Sequence, residues 1–127
     1  MKSERLVCVF LVPIVRDSDR QPHQPILWDM LRDALLRAFR AVTGPETVIC
    51  YRDTNVVPGA WSPGESKAPI EDLNRRYTVA IPATQMEDLR ALLRRVGNSF
   101  DQQVMYLEVA GHAELLEVLP THGFLEI

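Results

Sequence analysis

The run RLVCVFLVPIV at residues 5–15 is apolar at nearly every position. In an extended chain alternate side chains point to opposite faces. Leu6, Cys8, Phe10 and Val12 would then face one way, and Val7, Val9 and Leu11 the other. A strand that is oily on both sides belongs in the middle of a sheet with both faces covered. Pro13 has no backbone donor, so it needs a bulge or an unpaired position near the end of that strand. The run has the length of a signal-peptide core. However, Glu4 and Arg5 precede it, and Pro13, Arg16 and Asp17 follow without a small-residue cleavage site. No segment approaches the roughly 18 apolar residues that a spanning helix needs. The expectation is a cytoplasmic protein with no membrane partner.

The rest of the chain reads in order of elements. RDSDRQPHQ is a polar loop rich in turn residues. Residues 25–43 carry Leu27, Leu31, Ala34, Leu35, Ala38 and Val42 at helical spacing, with Pro25 fit for the first turn and Gly44-Pro45 as the stop. TVICYRDTNVV, 47–57, is a second strand, and SPGE beyond Trp61 suits a type II turn. SKAPIEDL, 66–73, is irregular in composition. RRYTVAIP, 75–82, alternates and makes a third strand. Thr84 and Glu87 have the spacing of a capping box ahead of Met86, Leu89, Leu92, Leu93 and Val96, a helical stripe that Gly97 should close. QVMYLEV, 103–109, is a fourth strand. For the tail GHAELLEVLPTHGFLEI, periodicity leaves a short strand and a turn of helix equally open.

A chain of 127 residues fits one domain spanning 1–127, and it can bury a core without staples. Its order, β-α-β-β-α-β, predicts an α+β fold of the ferredoxin-like plait type: a four-stranded antiparallel sheet with two helices on one face. The first and third strands would be interior. One oily side of the first strand then has no helix over it. Burying a patch of roughly 500 Å² contributes on the order of 12 kcal/mol before entropy, so a cover is expected. Three covers are available: the hairpin carrying Trp61, the tail with Phe124 and Leu125, or a second subunit in a homodimer. Trp61, alone between two Pro-Gly pairs in VPGAWSPGES, anchors that hairpin in this reading, against its own sheet, a partner or a ligand.

The chemistry-bearing residues are sparse. Net charge is −3, which gives no electrostatic case for nucleic-acid binding. Cys8 and Cys50 sit in apolar runs and read as buried free thiols; two cysteines alone make no zinc site. His23, His112 and His122 share no metal spacing. A catalytic His23 would need a carboxylate such as Asp17 or Asp19 beside it. Those two carboxylates, in Arg16–Arg20, could hold a divalent metal; a solvated loop is the expectation, with no metal and no cofactor. The acidic residues near the end of the first strand resemble, in that one feature, small plait nucleases of the kind associated with CRISPR adaptation. Arg52, Asp53, Arg75, Arg76 and Tyr77 fall on neighbouring strands, where they form either a salt-bridged outer face or an anion site with a tyrosine donor. Tyr106 and Glu108 alternate with apolar neighbours and should rim the open face. Phosphate loops, nucleophile elbows and H-E-x-x-H are missing from the sequence.

The segments GAWSPG, RRYTVA and FDQQVMYLEVAGHAEL together resemble a group of small bacterial proteins with a G-x-W hairpin and an F-x-Q-x-x-x-Y-L strand. The resemblance covers about Gly59 to Leu116. It implies the same fold and brings with it no activity and no catalytic residue to carry over. Two functions follow from the residues. One is a non-enzymatic dimeric module for a small molecule or protein. The other is a cofactor-independent enzyme, similar to dimeric ferredoxin-like monooxygenases and isomerases, with Tyr77, Tyr106 or His23 pointing into a pocket between sheet and helices.

Overall fold

A computed structural model describes residues 4–52 and 70–126 of the chain. The elements are β1 (Leu6–Pro13), α1 (Pro25–Phe39), β2 (Thr43–Arg52), β3 (Ile70–Ile81), α2 (Met86–Ser99), β4 (Val104–Val109) and β5 (His112–Glu117), with 3-10 turns at Ala83–Gln85 and Pro120–His122. The sheet runs β2-β3-β1-β4-β5, antiparallel at every pairing. β1 is therefore the middle strand. The expectation of a four-stranded sheet is wrong: the architecture is α+β with five strands and two helices. The extra strand comes from the tail. It is reached through Ala110 (φ 48°) and Gly111 (φ 85°), a two-residue turn with positive φ at both positions. Such turns match the twist of an antiparallel pair. The sequence hides it, because alanine stands where asparagine or aspartate would announce the hairpin.

Both helices lie on one side of the sheet. Cys8, Phe10 and Val12 of β1 share a single core with Tyr77, Val79 and Ile81 of β3, Met105 and Leu107 of β4, Leu31 and Leu35 of α1, and Leu89, Leu93 and Val96 of α2. Phe10 stacks on Tyr77 at 5.2 Å between ring centroids. The core residues of β1 are fully buried, as the middle position in the sheet requires.

Several local expectations need correction. α1 stops at Arg40, which takes the left-handed conformation (φ 67°), four residues before Gly44. Gly44 instead lies in β2, at a register shift between Thr43 and Glu46, where a Cβ would stand 2.5 Å from the Arg76 carbonyl. The close approach of β3, not a helix end, is what demands glycine there. The Thr84 capping box does not form: α2 begins at Met86 with no side-chain cap, and Glu87 pairs with Arg90 at 2.6 Å. Gly97 does not end α2 either. It is buried inside the helix, where an added Cβ would meet Val118 Cγ2 at 2.5 Å. β3 begins at Ile70, so part of the stretch read as irregular is strand.

The tail does not cover the helix-free side. Leu125 is buried in the helix-side core, and its amide donates to Ser99 Oγ at 2.8 Å. Asn98 Nδ2 donates to the Leu119 and Gly123 carbonyls, both at 2.8 Å, which fastens the tail to α2. Trp61 and its hairpin lie outside the described residues, so that cover is not described. No described helix is long and apolar enough to cross a membrane.

Candidate functional site

The antiparallel register fixes what the helix-free face presents. Leu11 of β1 is opposite Tyr106 of β4, and Tyr106 is opposite Leu115 of β5. On the other flank Pro13 meets Asn74 of β3, and Asp72 of β3 meets Cys50 of β2. These residues run across all five strands at the end of the sheet where β1 finishes. They line a cleft of about 1040 Å³, with Leu11, Pro13, Val104 and Leu115 supplying much of its apolar surface. Asp17, Arg20, Glu71 and Asp72 add charge, and Asn74, Gln102 and Gln103 add amides. Concave, largely apolar space with a few convergent polar groups is the usual form of a small-molecule site.

One wall of the cleft is the loop after β1. It is folded back on itself and tied down at many points. Arg16 N–H donates to the Gln21 carbonyl at 2.8 Å, and Val15 bridges Pro22. Asp17 accepts from the Gln103 amide at 2.9 Å, and Asp19 from the Gln21 amide at 3.0 Å. Both carboxylates therefore hold backbone. Among the described residues no group of three or more His, Cys, Asp or Glu side chains is placed to hold a metal. Asp101 accepts from the Ser18 amide and hydroxyl, which holds its carboxyl below the usual range. Gln102 Nε2 donates to the Val15 carbonyl at 2.9 Å and the Phe100 carbonyl at 2.8 Å, joining the loop to the start of β4.

The residues singled out from sequence are dispersed by the fold. Tyr106 lines the cleft. Tyr77 is in the core on the other side of the sheet, where burial pushes its phenol up. Arg75 lies over the Trp28 ring at 4.1 Å, and Arg76 pairs with Glu46 at 2.8 Å. Arg75 and Tyr77 share the helix side of β3, where the Arg75 side chain donates a hydrogen bond to the Tyr77 phenol, while Arg76 faces the other side, so the three do not form one site. Arg52 pairs with Ile70 in the ladder, while Asp53 and Trp61 lie outside the described residues. His23 is buried between Trp28 and Phe100, with ring centroids at 5.5 and 4.8 Å, and does not line the cleft. Its Nε2 donates to the Pro13 carbonyl at 2.8 Å, and its Nδ1 is buried with no partner. Burial lowers its pKa. Cys8 is a buried free thiol, whereas Cys50 is only half-buried and lines the cleft, contrary to expectation.

Sequence reasoning missed Asn74, Gln102 and Gln103. Their signal was weak: polar residues at a strand end usually read as solvated. Among the described residues the core fills the space between sheet and helices where a pocket was expected, and the cleft lies on the opposite face.

A solved structure has this shape. A phage SAM lyase, in complex with S-methyl-5'-thioadenosine, matches with a TM-score of 0.56 and 10% identity over 93% of each chain. At that identity the likeness is one of fold. No family model and no curated protein matches the sequence.

Proposed function

We propose that the chain is a small-molecule-handling protein whose site is the cleft on the helix-free face of the sheet. The observation that carries this reading is the cleft itself: about 1040 Å³ of space with apolar residues, Tyr106, three carboxamides and three carboxylates around it. An adenosine-sized ligand fits such a volume. The fold-level neighbour is a lyase bound to S-methyl-5'-thioadenosine, so a nucleoside thioether or its sulfonium parent is the first ligand class to test. In this reading the chain is a cofactor-independent enzyme. Any elimination needs a group that takes a proton, and Asp17, Glu71, Asp72 and Tyr106 are cleft residues able to do so.

A second reading, a non-catalytic homodimeric module, rests on a different observation. Val7 is 54% exposed and Leu115 is 72% exposed on the same sheet face, an arrangement suited to a second copy or a protein partner.

Titration calorimetry with S-methyl-5'-thioadenosine, paired with chromatographic assay of SAM turnover, separates the two. The enzyme reading expects binding that Leu11→Asp abolishes and Ile26→Asp, on exposed α1 surface, leaves intact, with SAM consumed. Binding without turnover, or a sizing profile of a dimer with no binding, transfers support to the module.

A further inference from the structure

We infer that Gln102 is a fixed hydrogen-bond acceptor in the cleft, which selects ligands that bring an N–H donor. The inference rests on the reading of the cleft as a ligand site. It starts from the two carbonyls that Gln102 Nε2 serves, Val15 at 2.9 Å and Phe100 at 2.8 Å. Both partners are acceptors, so the NH₂ group must face them. Turning the amide over would set Oε1 against two carbonyl oxygens and leave all three without donors. The side chain is only 5% exposed, so it has no room to choose another rotamer. Gln102 lines the cleft, and its side-chain hydrogen bonds among the described residues both run from Nε2, none to Oε1. What it offers a ligand is therefore the carbonyl oxygen, locked in place.

The surroundings have the same bias. Asn74 is also buried, and its Nδ2 is directed to the Asp72 carbonyl at 3.3 Å. The charged lining groups are Asp17, Glu71, Asp72 and Arg20, and the guanidinium of Arg20 pairs with Asp72 at 3.4 Å. Negative charge thus outnumbers positive, three carboxylates to one guanidinium. An acceptor that a ligand covers without supplying a donor is penalised, so a site of this kind discriminates strongly against ligands lacking one. The chemical class that fits is an amino-heterocycle, an amidine or another nitrogen cation. Ligands whose only polar group is a carboxylate or a phosphate do not fit.

Replacing Gln102 would break two buried hydrogen bonds, so the test uses the unaltered protein and matched ligands. Adenosine is compared with purine riboside, which lacks only the exocyclic amine, and benzamidine with benzoate. Each is titrated into ¹⁵N-labelled protein, following the Gln102 side-chain NH₂ signals and the amides of residues 103–106. The expected result is binding at these signals by adenosine and benzamidine, each with a Kd at least tenfold below that of its counterpart. Equal affinity within both pairs at this site overturns the acceptor role and leaves the cleft reading in place. No perturbation at the cleft by any of the four overturns both.

Discussion

The two faces of one sheet differ in almost every respect although alternate residues of the same strands build them. On the helix side Cys8, Phe10 and Val12 are sealed under α1 and α2, aromatic rings stack, and even glycine is squeezed at Gly97. On the other side Val7 and Leu115 are exposed, and a cleft is bordered by carboxylates and amides. The helix side has the density of a protein interior, where one methylene matters. The open side leaves apolar surface in contact with solvent, which is where binding energy is available. Close packing and open apolar surface thus fall to alternate residues of the same strands.

The largest contrast should come from neighbouring residues on β1. Phe10→Ala, on the sealed face, is expected to cost about 3–5 kcal/mol in urea unfolding. Leu11→Ala, on the cleft, is expected to cost about 1 kcal/mol or less. Equal costs would break the division between the faces. The next effect tests how tight the sealed side is. Gly97→Ala places a Cβ against Val118, whose branched side chain has little freedom to retreat. We expect a loss of about 1–3 kcal/mol, with Val118→Ala in the same chain costing less than the two changes summed.

How far the sequence spoke for this division depended on the kind of signal. The oily run 5–15 placed β1 in the interior with one side free of helices, because alternation is a direct consequence of strand geometry; the cover expected there does not come from the tail, and Val7 on that side is exposed. The stripe Leu89, Leu92, Leu93 and Val96 gave α2 for the same kind of reason. Caps and turns were misread. Arg40 took a left-handed residue's place without being glycine, and Ala110 did so in the β4–β5 turn, so the end of α1 and the fifth strand were hidden. The cleft was legible only in part. Tyr106 followed from alternation on β4, whereas Gln102 and Asn74 depend on which carbonyls happen to face them, and those contacts are long-range. His23 looked like a candidate base because histidine chemistry is conspicuous. Its neighbours turned out to be two rings and a backbone carbonyl.

That histidine supplies a smaller, pH-dependent effect at the sheet end. Burial lowers the His23 pKa and Arg16 pushes the same way, while the hydrogen bond to Pro13 and the charges of Asp101 and Asp17 oppose them. The unfolded chain takes up this proton near pH 6.5, and the folded chain only at lower pH. Below about 6.5 the unfolded state therefore binds more protons. Stability should be at its full value above that pH and fall as the pH drops through it. His23→Phe should flatten the slope between about pH 7 and 5 in thermal melts; an unchanged slope would assign it to other groups. Asp101, whose carboxyl is held low by Ser18, acts only at more acid pH. The smallest effect concerns the hairpin that widens the open face. Ala110→Asn suits positive φ better and should add about 0.5 kcal/mol. A loss there would mean that the turn differs from the one described.

The most direct check of the whole account is to map where a nucleoside thioether touches the sheet. In a methyl and amide NMR titration with S-methyl-5'-thioadenosine, the shifts should fall on Leu11, Val104, Tyr106 and Leu115, with Phe10, Leu107 and the helix-side core unmoved. Shifts concentrated among α1 and α2, or none at saturating ligand, would contradict it.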